Sequence, residues 1–327
     1  MQRLMPDPLR PETERRLQHL FRKSPVFSGL LVALLVIGAH RWLAGLPDRA
    51  PRADALTAVR FDAVALESPG FAPLTVAGAW RVTSPDPRMG GVSALAVDRG
   101  GLLALTDSGV TVRLPKPVTV AATGMAEFRD LPTGPGSARF KAGRDSEALA
   151  PDPGGRGWWV GFENRHAAWL FDRDFRRVIQ KVDLAPLGWR ANKGAEGAVW
   201  GERELLLVPE SGDEMVRIDP RGIKRIALSN SFGRLSDAAL LPDGRIVVVA
   251  RNFSPAGFSA RLVLLDQAAL RPLAKIALGR LDNAEAIAAE PLAGGGVRLW
   301  LMTDNDFRRR VPTLLVALDW RGDPPRR

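Results

Sequence analysis

Residues 145–163 read DSEALAPDPGGRGWWVGFE, and this stretch decides the fold. Glu147 opens a short apolar run, ALA, and a turn rich in Pro, Asp and Gly follows at residues 151–155. A second apolar run, WWVGF, then ends at Glu163. Two strand-length apolar runs joined by such a turn are typical of an antiparallel β-hairpin. The stretch therefore predicts a hairpin with an acidic residue at each end.

The same pattern recurs along the chain after residue 70. A small or acidic residue opens each copy and a polar residue closes it. The five copies are Ser93–Asp107, Glu147–Glu163, Glu196–Glu210, Asp237–Arg251 and Glu285–Asp304. Their openings lie about 40 to 55 residues apart, the period of a β-propeller blade. Further strand-like runs follow, such as AAWLFD and RLVLLD, without long helical periodicity. We therefore predict an all-β domain, a β-propeller of four-stranded blades.

The number of blades follows from the number of copies. Five copies predict five blades, and the alternative of six would need one more blade within Val110–Arg144. The last copy is followed by only one more strand-like run, which ends near Trp320. A strand from Pro73–Val82 would supply the fourth strand of that blade and close the ring, because radial closure protects sheet edges.

The N-terminal residues predict a membrane anchor. Residues 1–24 are rich in Arg, and residues 25–46 contain the uncharged run VFSGLLVALLVIGA. About twenty apolar residues can cross a bilayer as a tilted helix, and the basic residues before it keep the tail cytoplasmic. We therefore expect a cytoplasmic tail (1–24), a transmembrane signal-anchor helix (25–46), a linker (47–60) and an exported domain (61–322). A cleaved signal peptide and a buried soluble helix are the alternatives.

The composition excludes several kinds of site. The chain has no cysteine and no tyrosine, and its three histidines are His19, His40 and His166. Disulfides and a cysteine nucleophile are therefore excluded, and no multi-histidine zinc site is expected in the exported domain. The formal net charge is +10. The arginines are scattered and form no basic stripe with interleaved aromatic residues, so no nucleic-acid partner is expected.

The hairpin geometry should bring the two ends of each copy together. In a propeller blade the first strand lines the central channel and the second runs back antiparallel to it, so both ends meet at one channel mouth. Ten residues should converge there: Ser93, Asp107, Glu147, Glu163, Glu196, Glu210, Asp237, Arg251, Glu285 and Asp304. Eight of these are carboxylates, which repel one another unless protons or a bound cation neutralise them.

The carboxylates make a cation site the leading interpretation. Oxygen ligands without Cys or a His cluster suit Ca²⁺ or Mg²⁺. The candidate metal ligands are Asp107, Glu147, Glu163, Glu196, Glu210, Asp237, Glu285 and Asp304. Arg251 stands alone among these acids, and it would hold an anionic substrate group or pair with a neighbouring acid. The alternative is that the acids only cap strand ends by accepting backbone N–H bonds.

Several segments carry a family resemblance. They are DSEALAPDPGGRGWWVGFENRH (Asp145–His166), NKGAEGAVW (Asn192–Trp200), RNFSPAGFSARLVLL (Arg251–Leu265) and the stretch from Asp282 to Trp320, with Gly90–Gly109 as the opening motif. Together they make the sequence similar to the "esterase-like activity of phytase" family. The resemblance implies a β-propeller related to the calcium-dependent phytases, in a bacterial envelope protein that hydrolyses phosphate or other esters. It makes Ca²⁺ the expected cofactor, with the propeller in the periplasm and residues 25–46 in the inner membrane.

Two classes of function fit these features. The first is a metal-dependent hydrolase of a small phosphate or carboxylic ester, with Glu196 or Glu285 as general base and Arg251 stabilising negative charge. The residues expected to bind its substrate are Arg144, Lys193, Arg251 and Asn305. The second is a non-catalytic envelope propeller that binds a peptide, glycan or protein with a structural cation. A sugar-lactone hydrolase would need the same mouth, whereas a serine esterase is disfavoured because no G-x-S-x-G motif is present.

Overall fold

A computed structural model of the protein describes residues 48–71, 73–118, 121–201, 204–228, 232–254, 257–279, 281, 283–305, 307 and 311–322. The strands are β1 (Ala55–Ala63), β2 (Leu74–Thr83), β3 (Val92–Asp98), β4 (Gly101–Thr106), β5 (Val110–Leu114), β6 (Ala121–Asp130), β7 (Ser146–Pro151), β8 (Gly157–Phe162), β9 (Ala167–Asp172), β10 (Val178–Asp183), β11 (Ala195–Trp200), β12 (Leu205–Pro209), β13 (Glu214–Asp219), β14 (Gly222–Ala227), β15 (Arg234–Leu240), β16 (Ile246–Ser254), β17 (Gly257–Leu265), β18 (Pro272–Ala277), β19 (Ala284–Pro291), β20 (Val297–Thr303) and β21 (Thr313–Trp320). A single helical turn, α1 (Lys141–Arg144), precedes β7, and a 3₁₀ turn (Ala185–Leu187) follows β10.

The strands form five four-stranded blades. Blade 1 is β3–β6, blade 2 is β7–β10, blade 3 is β11–β14 and blade 4 is β15–β18. Blade 5 combines β19, β20 and β21 with β2 from the start of the domain. The first strands of successive blades, β3, β7, β11, β15 and β19, are neighbours around one axis and close a ring. The predicted all-β propeller is confirmed, and Val110–Arg144 holds the outer strands of blade 1 rather than a sixth blade.

The hydrophobic cores lie between neighbouring blades. Each of the five buried clusters draws its side chains from two adjacent blades, and the cluster between blades 1 and 5 also includes β1. Because both faces of a blade are covered, inner strands read as continuous apolar runs rather than alternating ones. Strand β12, LLLVP, is buried at every position. Ring closure therefore completes the last core as well as the last sheet.

Strand β1 joins two blades at the outer edge of the ring. It pairs antiparallel with β2, the outer strand of blade 5, and with β6, the outer strand of blade 1. The two blades thus share one nine-stranded sheet. The expected linker (47–60) therefore belongs to the sheet from Ala55 onward. The side chains of Val59 and of the following Phe61 are buried between the two blades, which stabilises this segment as a strand. The propeller domain begins before residue 61.

A cluster of ion pairs fixes the chain just before β1. Asp130, at the end of β6, accepts hydrogen bonds from the Arg52 guanidinium at 2.9 Å and 3.0 Å and lies 3.4 Å from Arg49. Arg88 donates to the Ala53 carbonyl at 3.2 Å. These contacts hold residues 49–53 against blade 1.

The expected transmembrane helix (25–46) and cytoplasmic tail (1–24) lie outside the described residues. Within the described part of the chain, no helix has both the length and the apolar character needed to span a membrane.

The position of β1 makes its buried face important for stability. Phe61 is 1% exposed in the core between blades 1 and 5, whereas Leu56 on the same strand is 68% exposed. We expect Phe61→Ala to lower the free energy of unfolding by about 3–5 kcal/mol, because it removes a large buried side chain and leaves a cavity. Leu56→Ala is the matched control and should cost less than about 0.5 kcal/mol. Urea unfolding of both variants tests this, and equal losses would contradict the packing role of β1.

Candidate functional site

Each inner strand carries a β-bulge near its first residue. The strand registers skip one residue in every blade, and the skipped residues are Ser93, Glu147, Glu196, Ser236 and Glu285. A bulge sets two residues opposite one on the partner strand and redirects the extra side chain. The repeated bulge therefore gives successive blades the same means of turning a side chain toward the channel.

These strand ends surround a cavity of about 480 Å³, named the mouth. Its lining contains eight carboxylates: Asp107, Asp145, Glu147, Glu163, Glu196, Glu210, Glu285 and Asp304. The structure places nine of the ten expected residues in it, all except Asp237. The residues that follow the second strand of a blade are held at the mouth by a backbone hydrogen bond. The Asp107 N–H donates to the Gly91 carbonyl at 2.8 Å, and the Glu163 N–H donates to the Asp145 carbonyl at 2.8 Å.

The expectation that Asp237 lies at the mouth as a metal ligand is wrong. The bulge of β15 is at Ser236, so Asp237 lies one residue farther along the strand and is fully buried. Its carboxylate accepts backbone N–H bonds from Leu95 (3.3 Å), Ala238 (2.8 Å) and Ile287 (2.8 Å). Burial raises the pKa of Asp237 well above its ordinary value, and these three donors oppose the rise. Asp237 therefore ties together the inner strands of blades 1, 4 and 5.

Lys141 offsets part of the negative charge on one side of the mouth. It lies on α1, and its Nζ is 2.5 Å from Asp145 Oδ1, 3.2 Å from Asp107 Oδ2 and 3.8 Å from Glu147 Oε1. Burial opposes its charge, but Glu147 and the two aspartates raise the pKa of Lys141 above its ordinary value. Lys141 therefore stays protonated among these acids.

Three further basic residues, Lys193, Arg234 and Arg251, offset negative charge on the opposite side of the mouth. Glu210 pairs with both Lys193 and Arg234, and Glu285 pairs with Arg251. Burial lowers the pKa of Arg251, while the surrounding acids oppose that effect. Among the described residues, the mouth thus brings eight acids together with four bases. With every acid ionised, the mouth would carry an excess of negative charge.

Several carboxyl groups lie close enough to one another to share a hydrogen bond. Glu163 lies within hydrogen-bonding distance of both Asp145 and Glu196, and Glu147 lies within the same distance of Asp145. Burial, followed by the negative charge of neighbours, raises the pKa of Glu147 and Glu196 well above the ordinary range and also raises that of Glu163. Two carboxylates cannot share a hydrogen bond unless a proton is present, so these contacts require protons or a cation.

The spacing of these oxygens fits a metal ion. Two groups of three carboxylates, Asp145–Glu147–Glu163 and Glu163–Glu196–Glu210, each hold ligand oxygens within 4.8 Å of one another. Oxygens on opposite sides of a Ca²⁺ ion at about 2.4 Å would also be about 4.8 Å apart. In addition, one oxygen of Asp107, Oδ1, is buried without a hydrogen-bond partner among the described residues. The acidic clusters could therefore hold a metal ion, and carboxylate donors favour a hard cation.

The residues expected to bind substrate separate into different places. Arg251 lines the mouth, and Lys193 reaches it through Glu210. Arg144 is buried, packs against Gly109 and Gly134, and does not line the mouth. Asn305 lines a neighbouring cavity, where its Oδ1 accepts the Gly91 N–H at 3.2 Å.

Sequence reasoning missed two basic residues of the mouth, Lys141 and Arg234. Arg234 lies opposite Arg251 in the β15–β16 register, so a register that placed the bulge at Ser236 would have found it. Lys141 comes from the loop between blades and carries no strand-end signal. Its only sequence hint is the i,i+4 spacing to Asp145.

Residues 87–307 match the family described as "Phytase-like: Esterase-like activity of phytase". The chain belongs to this family. The match to the phytase-like family includes every residue that lines the mouth, whereas β1, β2 and β21, which close the ring, lie outside it. No curated protein matches the sequence.

Several solved structures are similar to this chain at low sequence identity. The glutaminyl cyclase of Myxococcus xanthus matches with a TM-score of 0.50 and 13% identity, over 76% of this chain and 97% of that chain. A virginiamycin B lyase from Staphylococcus aureus, with quinupristin, matches with a TM-score of 0.45 and 12% identity, over 80% and 99%. The hydrazine synthase of Kuenenia stuttgartiensis matches with a TM-score of 0.39 and 12% identity. That match covers 67% of this chain and only 58% of the hydrazine synthase chain. At such identities the likeness concerns the fold alone.

The buried acids make the stability of the metal-free protein depend on pH. Burial raises the pKa of Asp107 from 3.8 to about 6, although Lys141 opposes the rise. The unfolded chain therefore releases this proton near pH 4 and the folded chain near pH 6, so stability falls as pH rises through this window. We expect Asp107→Asn to flatten the fall and to stabilise the protein at pH 7 by about 1–3 kcal/mol. Urea unfolding in chelator from pH 4 to 7 measures it, with the surface variant Asp62→Asn as control. An unchanged slope would show that Asp107 titrates normally.

Proposed function

We propose that this phytase-like propeller is a metal-dependent hydrolase of phosphate or carboxylic esters that acts at its acidic mouth. The observation that carries the proposal is the position of Glu163, which belongs to both groups of three carboxylates whose oxygens could surround one ion. Arg251 lines the same cavity, so a cation and an anionic substrate group could be held side by side. Membership in the family supports the reaction class.

We also propose where the protein acts. The uncharged run within residues 25–46 and the basic residues before it support a single-pass anchor in a bacterial inner membrane, with the propeller in the periplasm. Substrates would then be small esters or phosphates that reach that compartment.

The metal would be held by the group with the most carboxyl–carboxyl contacts. Asp145, Glu147 and Glu163 fit Ca²⁺ by donor type and spacing. Bound Ca²⁺ would supply positive charge to the substrate oxygens and lower the pKa of a nearby water. It would also remove the need for protons on these acids.

The remaining residues would handle the proton and the developing charge. Glu196 lies beside Glu163, and with a cation in place of the protons on these acids its ionised carboxylate could accept the proton of the attacking water. Arg251 would stabilise negative charge that develops on the substrate oxygens. Because Glu285 pairs directly with Arg251, its role would be to hold that guanidinium in place rather than to act as the base.

Metal binding can be tested apart from turnover. We expect saturating Ca²⁺ to raise the melting temperature of the wild type by roughly 5–10 °C. Glu163→Gln should lose this rise, because Glu163 is shared by both carboxylate groups. In chelator the same variant should melt above the wild type, because one buried like charge is gone.

Thermal unfolding with chelator, Ca²⁺ and Mg²⁺ measures these shifts. Glu127→Gln, on blade 1 and outside the mouth, is the matched control and should behave like the wild type. If the wild type shows no metal response, the acids only cap strand ends and the hydrolase proposal fails.

Turnover tests the role of Glu196. We expect Ca²⁺-dependent hydrolysis of 4-nitrophenyl phosphate or 4-nitrophenyl acetate by the wild type. Glu196→Gln should lower kcat by about 100-fold or more while the fold is kept, because the general base is lost. Glu214→Gln, on the outer part of blade 3, is the control. Metal-dependent stabilisation without hydrolysis of any ester would instead support a non-catalytic propeller that binds a peptide, glycan or protein.

A further inference from the structure

Lys141 holds the same acids that are proposed to bind the metal. Its Nζ lies 2.5 Å from Asp145 Oδ1, 3.8 Å from Glu147 Oε1 and 3.2 Å from Asp107 Oδ2. Asp145 and Glu147 are two of the three acids in the group that Glu163 completes. One ammonium group therefore forms ion pairs with two of the three carboxylates that this group would offer to an ion.

Both side-chain oxygens of Asp145 already have donors. Lys141 donates to Oδ1, and the side-chain amide of Asn164 donates to Oδ2. If Ca²⁺ and the ammonium shared Oδ1, the two cations could lie at most about 5 Å apart. The Asp145 side chain is only 6% exposed, so little water would screen their repulsion. The Asn164 amide is neutral, and Lys141 is therefore the donor that an incoming cation would displace.

The ammonium can move away from these acids without any change in the blades. The Lys141 side chain is 55% exposed, whereas the side chains of Asp107 and Asp145 are almost buried. Lys141 lies on the single turn α1, between blades 1 and 2, and its charge is carried on a flexible four-carbon stem. The ammonium can thus turn toward solvent while the acids stay in place.

The second group of acids is paired with bases in a different way. Among the described residues of Glu163–Glu196–Glu210, ion pairs reach only Glu210, and two bases, Lys193 and Arg234, hold it. Loss of Lys193 would leave Arg234 in place. Lys193 is therefore a matched comparison for Lys141, because it is the same type of residue beside the same cavity but pairs with a single acid.

We infer that the Lys141 ammonium is a built-in competitor of the metal, which neutralises these acids in the metal-free protein and is displaced when the ion binds. The inference rests on the proposed function, because it takes Asp145, Glu147 and Glu163 as the ligands of the ion. Binding must break the ion pairs of Lys141, and the apparent affinity for the ion is lower by that cost. Lys141 thereby sets the metal concentration at which the site fills.

Calorimetric titration of Ca²⁺ into the full chain tests the competition. We expect Lys141→Met to bind Ca²⁺ about tenfold more tightly than the wild type, because the ion no longer displaces an ammonium. Lys193→Met should stay within about threefold of the wild type, because Arg234 still holds Glu210. Equal affinities of Lys141→Met and the wild type would overturn the inference. It would also be wrong if Lys193→Met gained as much, since the net charge of the mouth would then explain the effect.

Thermal unfolding gives a second signature. In chelator, Lys141→Met should melt roughly 3–6 °C below the wild type, because the acids lose their counter-ion. In saturating Ca²⁺ the two proteins should melt together, because the ammonium has left the acids in the wild type as well. A deficit of equal size in both conditions would mean that Lys141 only holds the segment between blades 1 and 2, and the inference would fail.

The reactivity of the lysine amine reports displacement directly. We expect Ca²⁺ to increase severalfold the rate at which Lys141 is acetylated by an N-hydroxysuccinimide ester, followed by mass spectrometry of peptides. A released amine is more accessible to the reagent than one held between carboxylates. Lys224, exposed on β14, is the control and should keep its rate. An unchanged or lower rate at Lys141 would contradict displacement.

These measurements separate the inference from the proposed function. If Ca²⁺ binds and releases Lys141 but no ester is hydrolysed, the hydrolase proposal fails and the inference stands. If the wild type hydrolyses esters with Ca²⁺ while Lys141→Met shows wild-type affinity, the inference fails and the hydrolase proposal stands. If neither protein binds Ca²⁺, both are wrong.

Discussion

The five-bladed ring depends on a carboxylate at its axis. Asp237 belongs to blade 4, yet its side chain accepts backbone N–H bonds from blades 1 and 5, on the two sides of the ring closure. Inner strands of different blades are not hydrogen-bonded neighbours within any sheet, so few backbone bonds can join them across the channel. Side-chain packing between blades is non-directional, whereas these bonds have defined directions and lengths. The relative positions of three inner strands are thus set by one buried side chain.

This axial carboxylate also divides the channel into two environments. On one side lie the acids and bases of the mouth. On the other, the inner strands line a cavity of about 170 Å³ with small and apolar side chains such as Leu95, Ala238 and Ile287. A fully open polar channel would hydrate the inner strands along their whole length. With Asp237 between the two regions, charge can accumulate at one end while the other end packs like a protein core.

Much of this arrangement could be read from the sequence. Strand-length apolar runs with polar ends, repeated at an even spacing, predicted the blades and nine of the ten residues around the mouth. The prediction for Asp237 failed because the bulge lies at Ser236 and shifts the side-chain register by one residue. A small or acidic residue opens each copy, and both Ser236 and Asp237 meet that description. Residues 55–60 were assigned to a linker because Pro, Ala and Arg dominate that region. Only the two exposed sheet edges of blades 1 and 5 turn it into a strand. Lys141 was missed because it comes from a helical turn outside the repeat, which no strand pattern can place.

The N-terminal strand gives the propeller a particular mechanical geometry. Strand β1 lies between two antiparallel neighbours, with eight residue pairs to β6 and four to β2. A load applied ahead of Arg49 would first meet the ion pairs to Asp130 and would then pull β1 along its own axis. In that direction both ladders are sheared and their hydrogen bonds must break together, whereas a peeling load would break them one by one. A chain held at its N-terminal end would therefore resist the removal of β1 from between blades 1 and 5.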